Sequence, residues 1–208
     1  MKAHTKETQA AIDSNMAINL LKEGNARFVA HKEVERDLLD QVKDTRTGQY
    51  PFATILSCID SRVSSELIFD QGIGDIFSVR IAGNFVNEDI LGSMEFACKL
   101  AGTKVVVVLG HTSCGAVKGA CDDAKLGNLT ALVSKIKPAV SAVTEPSDPE
   151  KRNSGNIDFV NSVAEKNVIM TIDNIRIQSP VLAEMEENGE IKIVGAMYDI
   201  KTGAVNFY

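Results

Sequence analysis

The feature that most constrains the fold is KVVVVLG (Lys104–Gly110), which runs directly into His111 and Cys114 of HTSCG. Four valines and a leucine in a row leave no polar face, and β-branched residues pack better on a pleated surface than in a helix. An apolar run without alternation is expected of a strand covered on both sides, as in a parallel sheet. Two similar runs come earlier, FATILS (Phe52–Ser57) and DIFSVRI (Asp75–Ile81), and a helical pattern from about Asn87 to Ala101 separates the second from the third. Parallel neighbours need crossover connections, and these are right-handed. The spacing predicts an α/β fold: a mostly parallel, doubly wound central sheet with flanking helices.

Ala11, Ile12, Met16, Leu20, Leu21 and Phe28 recur at mostly three- and four-residue spacings, which predicts an amphipathic helix from Glu7 to about Lys32. A polar helix is expected from Arg36 to Arg46, before Gly48. Both precede the first strand signal, so residues 1–48 are expected to form an N-terminal helical arm, of a kind that often packs on another subunit. Residues 49–208 then form the α/β core of a single domain. Beyond Cys114 helices are expected to about Leu126 and from Leu129 to Val143, followed by a surface loop at TEPSDPEKRNSGN. A helix from Ile157 towards Ile177 is expected to end near Pro180, and EIKIVGAMYDIKTGAVNFY reads as a C-terminal edge hairpin turning at Lys201–Gly203.

The charge of -6 and the lack of a Lys/Arg cluster argue against a nucleic-acid partner. The N-terminus lacks an apolar signal segment and no apolar run is long enough to cross a bilayer, so no membrane association and a cytoplasmic location are expected. In a reducing compartment Cys58, Cys98, Cys114 and Cys121 read as thiols, metal ligands or reactive groups rather than as disulfides.

Ligands of open α/β sheets bind beyond the carboxyl ends of the strands. There FATILS leads into SCIDSRVSSE and KVVVVLG into HTSCG, so Cys58, His111 and Cys114 are candidates to meet. Two thiolates and an imidazole suit zinc and leave one tetrahedral position open for water, as catalytic zinc sites do. An extended backbone past Cys58 would set Asp60 and Arg62 on the same face as the ligand and turn Ile59 and Ser61 away. Asp60 would then orient a zinc-bound hydroxide while Arg62 keeps it ionised; with that pair broken, Asp60 becomes a possible fourth ligand in a closed form. The bland reading of H-x-x-C is a buried thiol beside a core histidine, and that of D-x-R is a surface ion pair. Cys98 and Cys121 fall in helical patterns and read as packing, while His4 and His31 lie in polar sequence and read as solvated.

SCIDSRV, then FSVRIAGN (Phe77–Asn84), then VVVVLGHTSCGAVKG (Val105–Gly119) together resemble the β-class carbonic anhydrases. The resemblance implies a zinc lyase that hydrates carbon dioxide reversibly to bicarbonate and a proton, with one zinc per subunit on Cys58, His111 and Cys114. It implies an orienting dyad of Asp60 and Arg62, and a substrate pocket at Gln49, Phe77, Phe96 and Gly115. It also implies a homodimer or dimer-based tetramer with the active site at the subunit interface, where Gln49 and Phe77 serve the neighbour's metal. Two positions depart from the family pattern. Phe96 stands where many relatives have a tyrosine, and Ile55 stands where bicarbonate-regulated members have a tryptophan, a residue this chain lacks altogether. Arg80 matches the regulatory arginine of those members but occurs in others too. Three other readings stay open on the sequence: hydrolysis of carbon disulfide or carbonyl sulfide on the same scaffold, a non-catalytic zinc domain, and a thiol redox enzyme, the last disfavoured by the lack of C-x-x-C.

Overall fold

The structure is a computed structural model that describes residues 2–208. Among the described residues five strands form one sheet in the order β2-β1-β3-β4-β5: β1 Ala53–Ser57, β2 Ile76–Arg80, β3 Val105–His111, β4 Lys192–Tyr198 and β5 Val205–Phe207. The pairs β1–β2, β1–β3 and β3–β4 are parallel, and β5 runs antiparallel at one edge. The expected hairpin is thus present, but its first strand is interior: β4 pairs with β3 on its other side.

The valine run explains itself in this sheet. Val106 and Val108 point into one buried cluster with Met94, Phe159, Val163 and Val168, while Val105, Val107 and Leu109 point into another with Leu21, Phe52 and Ile55. Successive strand residues face opposite sides, so a strand covered on both faces needs apolar side chains at every position. Each fully buried valine contributes roughly 1.5–3 kcal/mol by its transfer from water.

The first helical pattern is two helices, α1 (Lys6–Ala10) and α2 (Ser14–Val29), because Asp13 turns extended and its carboxylate accepts from the N–H of Met16, a side-chain cap that starts a new helix. Helix α2 lays Ala17 and Leu21 on the sheet face that carries Phe52, Ile55 and Leu109. Gly24 is obligatory there, since a Cβ would sit 1.8 Å from the carbonyl oxygen of Phe69. Helix α3 (Leu38–Thr45) follows, and α4 (Ser65–Ile68) lies between β1 and β2. The pattern at 87–101 is α5 (Glu88–Glu95) continued by a π-helical turn at Phe96–Leu100.

After β3 come α6 (Gly115–Cys121), α7 (Gly127–Ser134) and α8 (Lys137–Ala142), so both helices expected between Cys114 and Val143 are interrupted earlier than the periodicity indicates. The long helix is α9 (Ile157–Gln178). Helix α9 ends just before Pro180, as expected, but Pro180 does not end the helical region. It is the first residue of α10 (Pro180–Glu187), capped by Ser179, whose hydroxyl accepts from the N–H of Leu182. Proline loses nothing at this position, where its missing N–H would have no partner within the helix.

The chain leaves β1 towards β2 on one side and leaves β3 towards β4 on the other. The carboxyl ends of β1 and β3 therefore flank the point where strand order reverses, the crevice in which open α/β sheets bind ligands.

Candidate metal centre

Register sets the two ligand-bearing strands side by side. Ser57 of β1 pairs with Leu109 of β3, so Cys58 leaves its strand beside the Gly110–His111 end of the next. Beyond His111 the backbone turns sharply through Ser113, whose φ of +57° is left-handed, and Cys114 immediately precedes α6. The three donor atoms of Cys58, His111 and Cys114 all lie within 4.8 Å of one another. Cys58 is 4% exposed, Cys114 1% and His111 0%. The sulfurs stand 3.9 Å apart, close to the roughly 3.8 Å that two thiolates about 2.3 Å from a tetrahedral zinc would span.

The imidazole is preset for a metal. Its Nδ1 lies 3.0 Å from the carbonyl oxygen of Thr112, which can only accept, so Nδ1 carries the hydrogen and Nε2 presents a lone pair. Nε2 is buried and meets no hydrogen-bond partner among the described residues. A buried polar atom left this way costs about 1–3 kcal/mol, which a cation on the same atom removes. The donor set therefore fits a metal ion.

The thiols act as a pair. Hydrogen bonding from Cys114 across the 3.9 Å contact, against the opposing effect of burial, brings Cys58 down to about 4, with help from His111 and from the N–H of Gly83 at 3.4 Å. Cys114, as the donor in that contact and itself buried, is pushed far up. The contact thus favours a thiolate at Cys58 and a thiol at Cys114.

Asp60 faces the same space. Its backbone carbonyl accepts from Val63 N–H at 2.9 Å, so the chain turns at Asp60 instead of continuing extended. This corrects the alternation argument: Ile59 does point out, 60% exposed, but Arg62 reaches Asp60 by folding back round the turn. Arg62 donates to Oδ1 from Nε at 2.9 Å and from its backbone N–H at 3.0 Å, and to Oδ2 from Nη2 at 2.7 Å. These bonds hold the Asp60 carboxyl well below the usual carboxylate range despite partial burial. Asp60 Oδ2 lies 3.9 Å from His111 Nε2. Arg80, on β2, fixes the loop by donating to the carbonyl oxygens of Cys58 at 3.0 Å and Asp60 at 2.8 Å.

Other singled-out residues lie elsewhere. Gln49 is exposed ahead of β1, and Phe77 pairs with Thr54 near the opening of β2, so both sit towards the strand ends remote from Cys58. Phe77 and the 52%-exposed Phe96 meet edge to face, ring centroids 6.3 Å apart, in an open groove of about 710 Å³ with Arg80, Glu88 and Ile90. Gly115 is exposed at the start of α6, and beyond its chain neighbours and its own helix backbone no described heavy atom lies within 4 Å of where a side chain would begin. Cys98 is core, accepting from Thr103 Oγ1 at 3.4 Å, and burial pushes both Cys98 and the half-buried Cys121 to about 11. Neither joins the cluster. His31 is exposed, but His4 is not fully solvated: its ring packs edge-on against Phe52, centroids 5.4 Å apart. The sequence reading missed Gly83, whose N–H meets Cys58 Sγ, Asn161, which accepts from the N–H of Ser113, and Asn167, which donates to the carbonyl of Gly83. Asn167 carries a detectable signal, a polar residue on the apolar face formed by Val160, Val163, Ala164 and Val168 of α9, whereas the half-buried Asn161 carries none.

A sequence profile described as carbonic anhydrase matches residues 53–205. Carbonic anhydrase 2 of Mycobacterium tuberculosis is 37% identical over 184 residues, covering 88% of this chain and 87% of that protein. A carbonic anhydrase of Mycolicibacterium smegmatis is 35% identical over 191 residues, covering 89% of this chain and 88% of its own. Among solved structures, the β-carbonic anhydrase CcaA superposes with a TM-score of 0.71 at 25% identity, over 92% of this chain and 94% of that one. A shared sequence profile from β1 to the start of β5 and a shared fold thus accompany the buried Cys-His-Cys cluster at the strand switch, and the chain belongs to the β-carbonic anhydrase family.

Proposed function

We propose that the chain hydrates carbon dioxide reversibly to bicarbonate and a proton, with zinc held by Cys58, His111 and Cys114. The observation that carries this reading is the ionised Asp60 carboxylate facing a buried two-sulfur, one-nitrogen donor set whose imidazole Nε2 has no hydrogen-bond partner among the described residues. Bound zinc supplies Lewis acidity, lowering the pKa of a water towards neutrality and so providing a nucleophile.

The chain's own residues do the rest. Asp60, ionised throughout the working range, accepts a hydrogen bond from the nucleophile and fixes its lone pair towards the incoming carbon; it does not need to take up the proton. Arg62 keeps the carboxylate charged and turned from the ligand set. Gly83 N–H, by donating to Cys58 Sγ, draws charge from that thiolate and preserves the ion's acidity. One proton leaves to buffer for each carbon dioxide hydrated. A closed form with Asp60 as fourth ligand would break its bonds to Arg62, so the arrangement with the dyad intact is the active one.

The assembly we infer is a homodimer or a dimer-based tetramer with the pocket at the subunit interface; two β-carbonic anhydrases of Sordaria macrospora, which share this fold, are tetrameric. Two features support this. Strand β2 is an edge strand, and Phe96 beside it is half exposed. Phe77 pairs with Thr54, four residues before Cys58, a separation of about 13 Å along the strand, so Gln49 and Phe77 reach a metal only across an interface.

The test is stopped-flow hydration of carbon dioxide at pH 8.5 by zinc-loaded protein. Turnover that disappears on metal removal supports the proposal; no turnover with zinc bound and Asp60 intact overturns it.

A further inference from the structure

Helix α9 packs closely on the strands that lead to the metal centre. A Cβ on Gly110 of β3 would lie 2.6 Å from Val168 Cγ2, and one on Gly195 of β4 would lie 2.9 Å from Val168 Cγ1. The two glycines let the helix settle on the strands immediately before His111. On that helix two asparagine amides reach the turn between His111 and Cys114 and the segment after β2 whose Gly83 N–H meets the Cys58 sulfur. Asn161 Oδ1 accepts from the N–H of Ser113 at 2.8 Å, within the left-handed residue between His111 and Cys114. Asn167, 3% exposed, donates from Nδ2 to the carbonyl oxygen of Gly83 at 2.8 Å. The N–H of that same glycine donates to Cys58 Sγ at 3.4 Å. Gly83 is itself left-handed at φ +81°, and a Cβ there would lie 2.4 Å from Ile136 Cδ1, so its peptide is pinned from both sides.

We propose that Asn161 and Asn167 are positioning residues of the metal centre. Asn161 holds the His111–Cys114 turn in the one conformation that brings both ligands inward, and Asn167 aims the Gly83 N–H at the Cys58 sulfur. The inference rests on the reading that Cys58, His111 and Cys114 hold zinc. Neither asparagine touches the donor atoms; each acts through one backbone group. Partners of this kind typically affect metal affinity by about 10–100-fold.

The experiment follows zinc transfer from loaded protein to a chromophoric chelator, together with the sulfur-to-metal charge-transfer band of the cobalt(II)-substituted protein. Asn161→Leu removes the acceptor at similar volume, while Asn161→Asp keeps an oxygen for the Ser113 N–H. The expected result is zinc loss at least about 10-fold faster and a shifted cobalt band for Asn161→Leu, with Asn161→Asp close to the parent. Asn167→Leu should behave as Asn161→Leu does. Should Asn167→Leu fail to fold, the Asn161 pair decides alone, because Asn161 is only half buried. Equal zinc loss and identical cobalt bands for Asn161→Leu, Asn161→Asp and the parent overturn the proposal, even with a lowered Tm, because a purely structural role moves Tm alone. A parent that takes up neither metal overturns the zinc reading itself, a distinct result from equal retention in all proteins.

Discussion

Adding zinc to metal-free protein at pH 6.5 should release about one proton from the cysteine pair, not two. Cys58, brought to about 4 by the hydrogen bond from Cys114, is already a thiolate there. Cys114, which makes that bond, keeps its proton until the metal displaces it. Two independent thiols with an ordinary pKa of about 8.5 would release about two. Water on the metal adds little at this pH, because its pKa lies roughly between 7 and 9. Calorimetric titration in two buffers of different ionisation enthalpy gives the proton count directly. Cys98→Ala and Cys121→Ala should leave it unchanged, since both thiols are protonated and outside the cluster. A count near two in the parent would refute the paired-thiol description and the geometry behind it.

Three further outcomes follow from particular contacts. Asp60→Asn should keep its zinc but lower the stopped-flow hydration rate by about 10²-fold, as expected when the group that orients the nucleophile is lost. Gly24→Ala should destabilise the protein by on the order of 3 kcal/mol, because its methyl group would drive α2 off the Phe69 carbonyl; that lowers Tm in a calorimetric scan by roughly 6–12 °C. Asp70 is buried, which opposes ionisation, yet bonds from Arg27, Arg36 and Val34 N–H hold its carboxyl below the ordinary value. The stability it contributes is therefore present above about pH 4 and is lost as pH falls through its folded value, a loss that denaturant titrations should detect in the parent and not in Asp70→Asn.

The parallel strands and the metal ligands were legible because each left a local mark. A run such as VVVV is compatible with burial on both faces and with little else, and Cys58, His111 and Cys114 stand at the ends of two such runs. What the sequence hid depends on geometry with no local period. Asp13 starts a new helix where apolar spacing indicated a continuing one, because a capping side chain outweighs a continuing pattern, and Pro180, besides marking where α9 ends, opens α10, which no local period announced. Arg62 meets Asp60 through a turn closed by the N–H of Val63 on the Asp60 carbonyl, which alternation along an extended strand does not foresee. The parts played by Arg80, Asn161 and Asn167 are likewise settled by what lies across the sheet: each binds a backbone group more than twenty positions away or supplied by another element. Gln49 and Phe77 matched the family's pattern of residues, yet within one chain they belong to the opposite end of the strands from the metal.

X-ray absorption of the zinc-loaded protein tests the central claim most directly. The account predicts one zinc per chain with two sulfurs at about 2.3 Å and two nitrogen or oxygen neighbours at about 2.0–2.1 Å, and the loss of one sulfur in Cys58→Ser or Cys114→Ser. A shell with three or four sulfurs, or with none, would contradict it.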